Sequence, residues 1–80
     1  MATYTEIADT AAAIIDEYKR ARGKFSPMRG PHEGWAVIYE ELDEMWDEVK
    51  ANNVGGARKE CLQVAAMALA FLLEVHDVTR

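Results

Sequence analysis

Cys61-Leu-Gln-Val-Ala-Ala-Met-Ala-Leu-Ala-Phe-Leu-Leu73 is the stretch on which the fold turns. Twelve of its thirteen residues are apolar, and Gln63 is the exception. The run is too short for a membrane span, which needs about 20 residues. Placed in a helix over residues 57–78, it is apolar on nearly every side, and such a helix has to be covered all round. Glu60, Gln63, Met67, Ala70 and Glu74 fall on one stripe of that helix. A buried amide without partners costs about 1–3 kcal/mol, so the preceding helix is expected to supply partners for Gln63.

Working outward, Asn52-Asn-Val-Gly-Gly56 reads as a turn. Before it, residues 31–51 read as a helix, with Pro31 suited to the first position and Glu33 to the positive first turn. Trp35, Ile38, Leu42, Met45 and Val49 recur at 3-4-3-4 spacing and form an apolar seam, widened by Tyr39 and Trp46. Both tryptophans are read as core. Residues 24–30 form a loop. A first helix is expected over 4–22, opened by the Thr3-x-x-Glu6 capping box and ended by Gly23. Its apolar face is Ile7, Ala11, Ile14, Ile15 and Tyr18. No strand pattern, repeat or linker appears. The expectation is one all-α domain over residues 1–80: an antiparallel helical hairpin plus an N-terminal helix. Two helices from 80 residues can hardly enclose the third, so the domain is expected to assemble into an oligomeric helix bundle, a dimer or tetramer.

The single cysteine, Cys61, excludes an intrachain disulfide and reads as a small buried hydrophobe. The start, MATYTEIADT, has no basic segment followed by an apolar run, so a cytoplasmic location is expected, with no membrane partner. Net charge is −5, from 14 acids and 9 bases, which argues against a nucleic-acid partner. The charges are segregated. Residues 40–48 hold Glu40, Glu41, Asp43, Glu44, Asp47 and Glu48, and residues 19–29 hold Lys19, Arg20, Arg22, Lys24 and Arg29.

At 100° per residue, Glu41, Glu44 and Glu48 fall within about 60° on one flank of the second helix, in an arc shared with Val37. Glu40, Asp43 and Asp47 lie on the opposite flank. Measured from a bend near Val54, Glu48 is level with Glu60, and Glu44 with Gln63. Glu41, Glu44, Glu48, Glu60 and Gln63 therefore converge on one patch. A solvated acidic face is the commoner outcome for such a helix. Here, however, no base lies within residues 40–49 to build an ion-pair ladder, and the acids face the polar breaks of a buried helix. A hard dication, Mg²⁺ or alternatively Mn²⁺, suits such a set of oxygens.

The segments His32-Glu-Gly-Trp-Ala-Val-Ile-Tyr-Glu-Glu-Leu-Asp-Glu-Met-Trp-Asp-Glu-Val49 and Arg58-Lys-Glu-Cys-Leu-Gln-Val-Ala-Ala-Met-Ala68 resemble the MazG-like nucleotide pyrophosphohydrolases, in particular the short single-domain members of phages and bacteria. The likeness covers roughly residues 26–78. Glu40-Glu41-x-x-Glu44 matches the first half of the family's Glu-Glu-x-x-Glu…Glu-x-x-Asp motif. Glu60-x-x-Gln63 stands at the second half, with Gln in place of the usual Asp. The resemblance implies an all-α, oligomeric, Mg²⁺-dependent enzyme that hydrolyses nucleoside triphosphates to monophosphate and pyrophosphate.

On that resemblance, Glu41, Glu44 and Glu60 would hold the metal, with Gln63 as a fourth ligand through its carbonyl oxygen. Glu40 or Glu48 would orient or deprotonate the attacking water. Lys24, Arg29 and Lys59 would contact phosphate and Phe25 would stack on the base. Lys19, Arg20 and Arg22 read as a solvated helix end favoured by the dipole. The rival expectation is a non-catalytic helical oligomer, an interaction or regulatory module in which Gln63 has replaced the acid. A pyrophosphohydrolase of phosphoribosylated nucleotides is a third.

Overall fold

The structure, a computed structural model, describes residues 1–77. They form three helices, α1 (Tyr4–Arg22), α2 (Pro31–Lys50) and α3 (Val54–Glu74), with no strand among the described residues. α1 opens on the predicted capping box: the Glu6 N–H donates to the Thr3 hydroxyl at 3.1 Å, and the Thr3 N–H donates to the Glu6 carboxylate at 2.8 Å. Two donors at the helix start are thereby satisfied reciprocally. Pro31 occupies the start of α2, where a missing N–H costs nothing.

The connection between α2 and α3 is shorter than predicted. Asn52 adopts the left-handed conformation, φ 59°, which asparagine tolerates. The N–H groups of Asn52 and Asn53 then reach the Val49 and Glu48 carbonyls, both at 3.0 Å. That pair of bonds is the Schellman closure of a helix C-terminus. Asn53 caps the next helix: its side-chain oxygen accepts the Gly56 N–H at 3.1 Å, and its amide donates to Glu48 at 2.6 Å. Two consecutive asparagines therefore stop one helix and start another. Gly55 and Gly56, expected in the turn, belong to the first turn of α3. A Cβ on Gly56 would collide with the Glu48 carboxylate.

α3 ends at Glu74, and Val75 is extended. Val75–Asp77 are not helical, and residue 78, the predicted end, lies outside the described residues. The carboxylate of Glu74 ties the end of α3 to the segment after α1. It accepts the Met28 N–H at 2.9 Å, the Tyr18 hydroxyl at 2.8 Å and the Arg22 Nε at 2.7 Å. Burial opposes the charge on Glu74, but these donors outweigh it and hold the carboxyl below its ordinary range.

α3 packs against both α1 and α2, and α1 and α2 do not pack on each other. The core is small: Ala21, Met28, Ala66, Met67 and Ala70, flanked by Tyr18, Val37, Ile38, Phe71 and Val75. Gly34, which the periodicity did not single out, is buried where α2 meets α3. A Cβ there would lie 2.5 Å from the Phe71 ring and 3.1 Å from the Met28 sulfur, so only glycine permits this approach.

Several residues predicted to be core are not. Trp35 is 64% exposed and Trp46 53%, and Leu42 and Val49 are also exposed. Only Ile38 and Met45 of the seam are half-buried. Cys61 is exposed rather than buried. Ile7 and Ile15 of α1 are exposed as well. The cause is geometric. One face of α3 takes α1 and another takes α2, so nothing among the described residues covers the outer flank of α2, the far side of α3 or the N-terminal half of α1.

Candidate active site

Because α3 begins at Val54, its level against α2 differs from the predicted one by about a turn. Glu48 lies beside Gly56 and Asn53, not beside Glu60. Glu60 instead meets Glu41 and Glu44, and one carboxylate oxygen from each of these three lies within 4.8 Å of the others. Glu41 and Glu60 are half-buried and Glu44 is exposed.

The electrostatics follow from this crowding. Burial raises the Glu41 carboxyl above its ordinary range, helped by the charges of Glu44, Glu60, Glu40 and, on α1, Glu17. Glu44 is also raised, by desolvation and then by Glu60. No lysine or arginine is paired with any of the three among the ion pairs of the described residues.

Beside the cluster, a groove of about 690 Å³ opens between the end of α1, the segment 23–30, α2 and α3. Its volume is within the range for small-molecule sites. Glu41 belongs to both the cluster and the groove, and Glu40, Gln63, Phe25, Arg20 and Arg29 also line the groove. Phe25 is exposed, free to offer its ring. Arg29 donates to Glu33 from Nε at 2.9 Å and Nη2 at 2.6 Å, which holds the Glu33 carboxyl below its ordinary range.

The predicted residues thus divide. Glu41, Glu44 and Glu60 come together, and Glu40, Gln63, Phe25 and Arg29 share the groove. Glu48 is held in the α2–α3 connection as a partner of Asn53. Lys24 and Lys59 are exposed and do not line the groove.

The sequence reading did not single out Glu17, and it took Arg20, which lines the groove, as solvated helix end. The Glu17 carboxylate is bound by Arg20 through Nε at 3.0 Å and Nη2 at 2.5 Å. Hydrogen bonding from Arg20 holds Glu17 below its ordinary range against some desolvation, and the Gln63 amide contributes in the same direction. Gln63 therefore lies near Glu17 of α1, whereas α2 was expected to supply its partners. Glu17 and Arg20 sit three apart on a helix whose amphipathic pattern hides nothing unusual, and only the packing of α1 on α3 sets them beside Gln63.

No family model matches the sequence, and neither the curated proteins nor the solved structures contain a significant match to it.

Proposed function

We propose that the chain is a Mg²⁺-dependent nucleoside triphosphate pyrophosphohydrolase, converting a nucleoside triphosphate and water to the monophosphate and pyrophosphate. The observation that carries this reading is the meeting of Glu41, Glu44 and Glu60 on one edge of a groove whose rim is arginine-rich. The donor set fits a hard dication. It is all oxygen, and oxygens around octahedral Mg²⁺ at about 2.1 Å lie about 3–4 Å apart. The three oxygens lie within 4.8 Å of one another, near that spacing.

On this reading Glu41, Glu44 and Glu60 hold the ion, and the carbonyl oxygen of Gln63 is the next donor in reach of the groove. When bound, the ion would supply charge neutralisation for the triphosphate and acidify a water. Glu40, exposed and lining the groove beside Glu41, orients or deprotonates the attacking water. The water's oxygen bonds to the α-phosphorus, the bond to the bridging oxygen breaks, and pyrophosphate leaves. Phe25 stacks on the base, and the arginine-rich rim of the groove faces the phosphates. Lys24 and Lys59, outside the lining, have weaker claims. In the same reading α2 and α3 form an antiparallel hairpin, and the chain works as a cytoplasmic homo-oligomer.

The test is pyrophosphate release from a panel of nucleoside triphosphates with Mg²⁺ or Mn²⁺. Turnover that drops at least about 100-fold in Glu41→Ala and Glu44→Ala, with folding and assembly retained, supports the reading. Absence of turnover by folded wild-type protein sinks it. The second reading, a non-catalytic interaction module, is favoured by one observation, the wide exposed apolar face of α2.

A further inference from the structure

The groove carries three arginines, and their donors are not equally committed. A guanidinium has five N–H donors. Arg22 spends Nε and Nη2 on Glu74, and Nη1 on the carbonyls of Phe25 at 2.9 Å and Ser26 at 3.1 Å. It is a structural clamp with little left to offer. Arg29 binds Glu33 only, but its side chain is 86% exposed, so water competes fully for its remaining donors.

Arg20 is different on both counts. Its Nε and one Nη2 hydrogen are bound by Glu17, which leaves the two Nη1 donors and the second Nη2 donor unused by the hydrogen bonds that the side chain makes. Its side chain is half exposed and lines the groove, while the Glu17 carboxylate that grips it is only 11% exposed. A nearly buried carboxylate thus fixes the inner edge of a guanidinium whose side chain, like Glu41, lines the groove. A planar fork held in this way is pre-organised for a phosphate oxygen pair. The local charge balance agrees: Glu41, Glu44 and Glu60 make one end of the site negative, and a triphosphate extending from a metal there needs cationic donors at the other end.

We propose that Arg20, presented by Glu17, is the phosphate-contacting arginine of the groove and forms an anion subsite for the pyrophosphate part of the substrate. The proposal rests on reading the groove as a nucleoside triphosphate site. It reverses the sequence expectation, which gave phosphate to Lys24, Arg29 and Lys59 and left Arg20 as solvated helix end. Glu17 is a positioning residue: it touches Arg20, not the phosphate.

The experiment is calorimetric titration of the full chain with inorganic pyrophosphate in the presence of Mg²⁺, alongside steady-state kinetics. Arg20→Gln is expected to weaken pyrophosphate binding about tenfold or more and to raise KM more than it lowers kcat. Arg20→Lys restores part of the loss, because it returns the charge without the fork. Glu17→Gln keeps the arginine and weakens binding by a smaller factor, about threefold to tenfold, through lost orientation. Lys19→Gln, which removes a charge from the same helix end outside the groove, leaves binding unchanged. Binding by folded Arg20→Gln within twofold of wild type overturns the proposal, as does wild-type protein that turns over nucleotide yet takes up no pyrophosphate. Arg20-dependent pyrophosphate binding without turnover of any nucleotide supports the subsite and removes the hydrolase reading instead.

Discussion

At the scale of single residues, the site is governed by like charge at short range. Glu41 and Glu44 both ionise later in the folded chain than in the unfolded one. Just above the ordinary glutamate range the folded state therefore holds more protons, so these groups lower stability as pH rises through their raised values. A dication held by the same oxygens removes that penalty and competes with protons for them. The rise in Tm produced by millimolar Mg²⁺ is expected to be larger at about pH 7.5 than at about pH 5. Thermal melts at both values check this, and equal shifts would remove the carboxylates from the ion's shell. Without metal, Glu41→Gln is expected to melt at or above the wild-type temperature, since it deletes a repelling charge. Candidate ligands were legible in the sequence because three glutamates at i, i+3 and i+7 share a flank of α2. Glu48, expected on the same patch as a catalytic carboxylate, lies beside Asn53 instead, because the level of α3 differs by about one turn.

At the scale of elements, the α2–α3 pair depends on two features that hydrophobic periodicity does not display. One is the Asn52-Asn53 junction, which joins a C-cap directly to an N-cap. Its hydrogen bonds bring Glu60, rather than Gln63, level with Glu44. The other is Gly34, where α2 comes closest to the Phe71 ring. Gly34→Ala gains about 1 kcal/mol of helix propensity but forces a methyl group into Phe71, and overpacking of this kind costs about 1–3 kcal/mol. The net expectation is a loss of stability. Urea denaturation followed by circular dichroism measures it, and a variant more stable than wild type would show that the interface yields. α1 was correctly bounded from its capping box and Gly23. Glu17 was not singled out and Arg20 was read as solvated helix end, because their placement comes from the helix that α1 packs on.

At the scale of the molecule, the chain exposes 6219 Å². A folded monomer of 9.0 kDa exposes about 4,900 Å². The excess, about 1,300 Å² per copy, corresponds to about 2,600 Å² for a pair, within the range of obligate homodimers. Its apolar part is organised. Trp35, Tyr39, Leu42, Trp46 and Val49 recur at 4-3-4-3 spacing along the open flank of α2, all exposed. Cys61, Ala68 and Leu72 line the exposed side of α3. Two neighbouring helices with exposed apolar faces match half of a four-helix bundle, which a second copy would complete. Glu44 lies about 180° round α2 from the centre of that seam, so pairing leaves the carboxylates open. Sedimentation equilibrium is expected to give twice the chain mass. Leu42→Glu with Trp46→Glu should return the protein to monomer or unfold it. A wild-type monomer at micromolar concentration would contradict the assignment.

The sequence by itself determined the all-helical class, the approximate spans of three helices, the caps of α1 and the glutamates that could act together. Each of these follows from local periodicity and short-range hydrogen bonding, which neighbouring residues settle among themselves. Only the tertiary structure decided the level of α3 against α2, the pairing of Arg20 with Glu17 beside Gln63, and which apolar stripes stay uncovered. Those depend on where helices distant in sequence touch. A one-turn difference at a two-residue junction moves a carboxylate about 5 Å, enough to add a residue to the site or remove it.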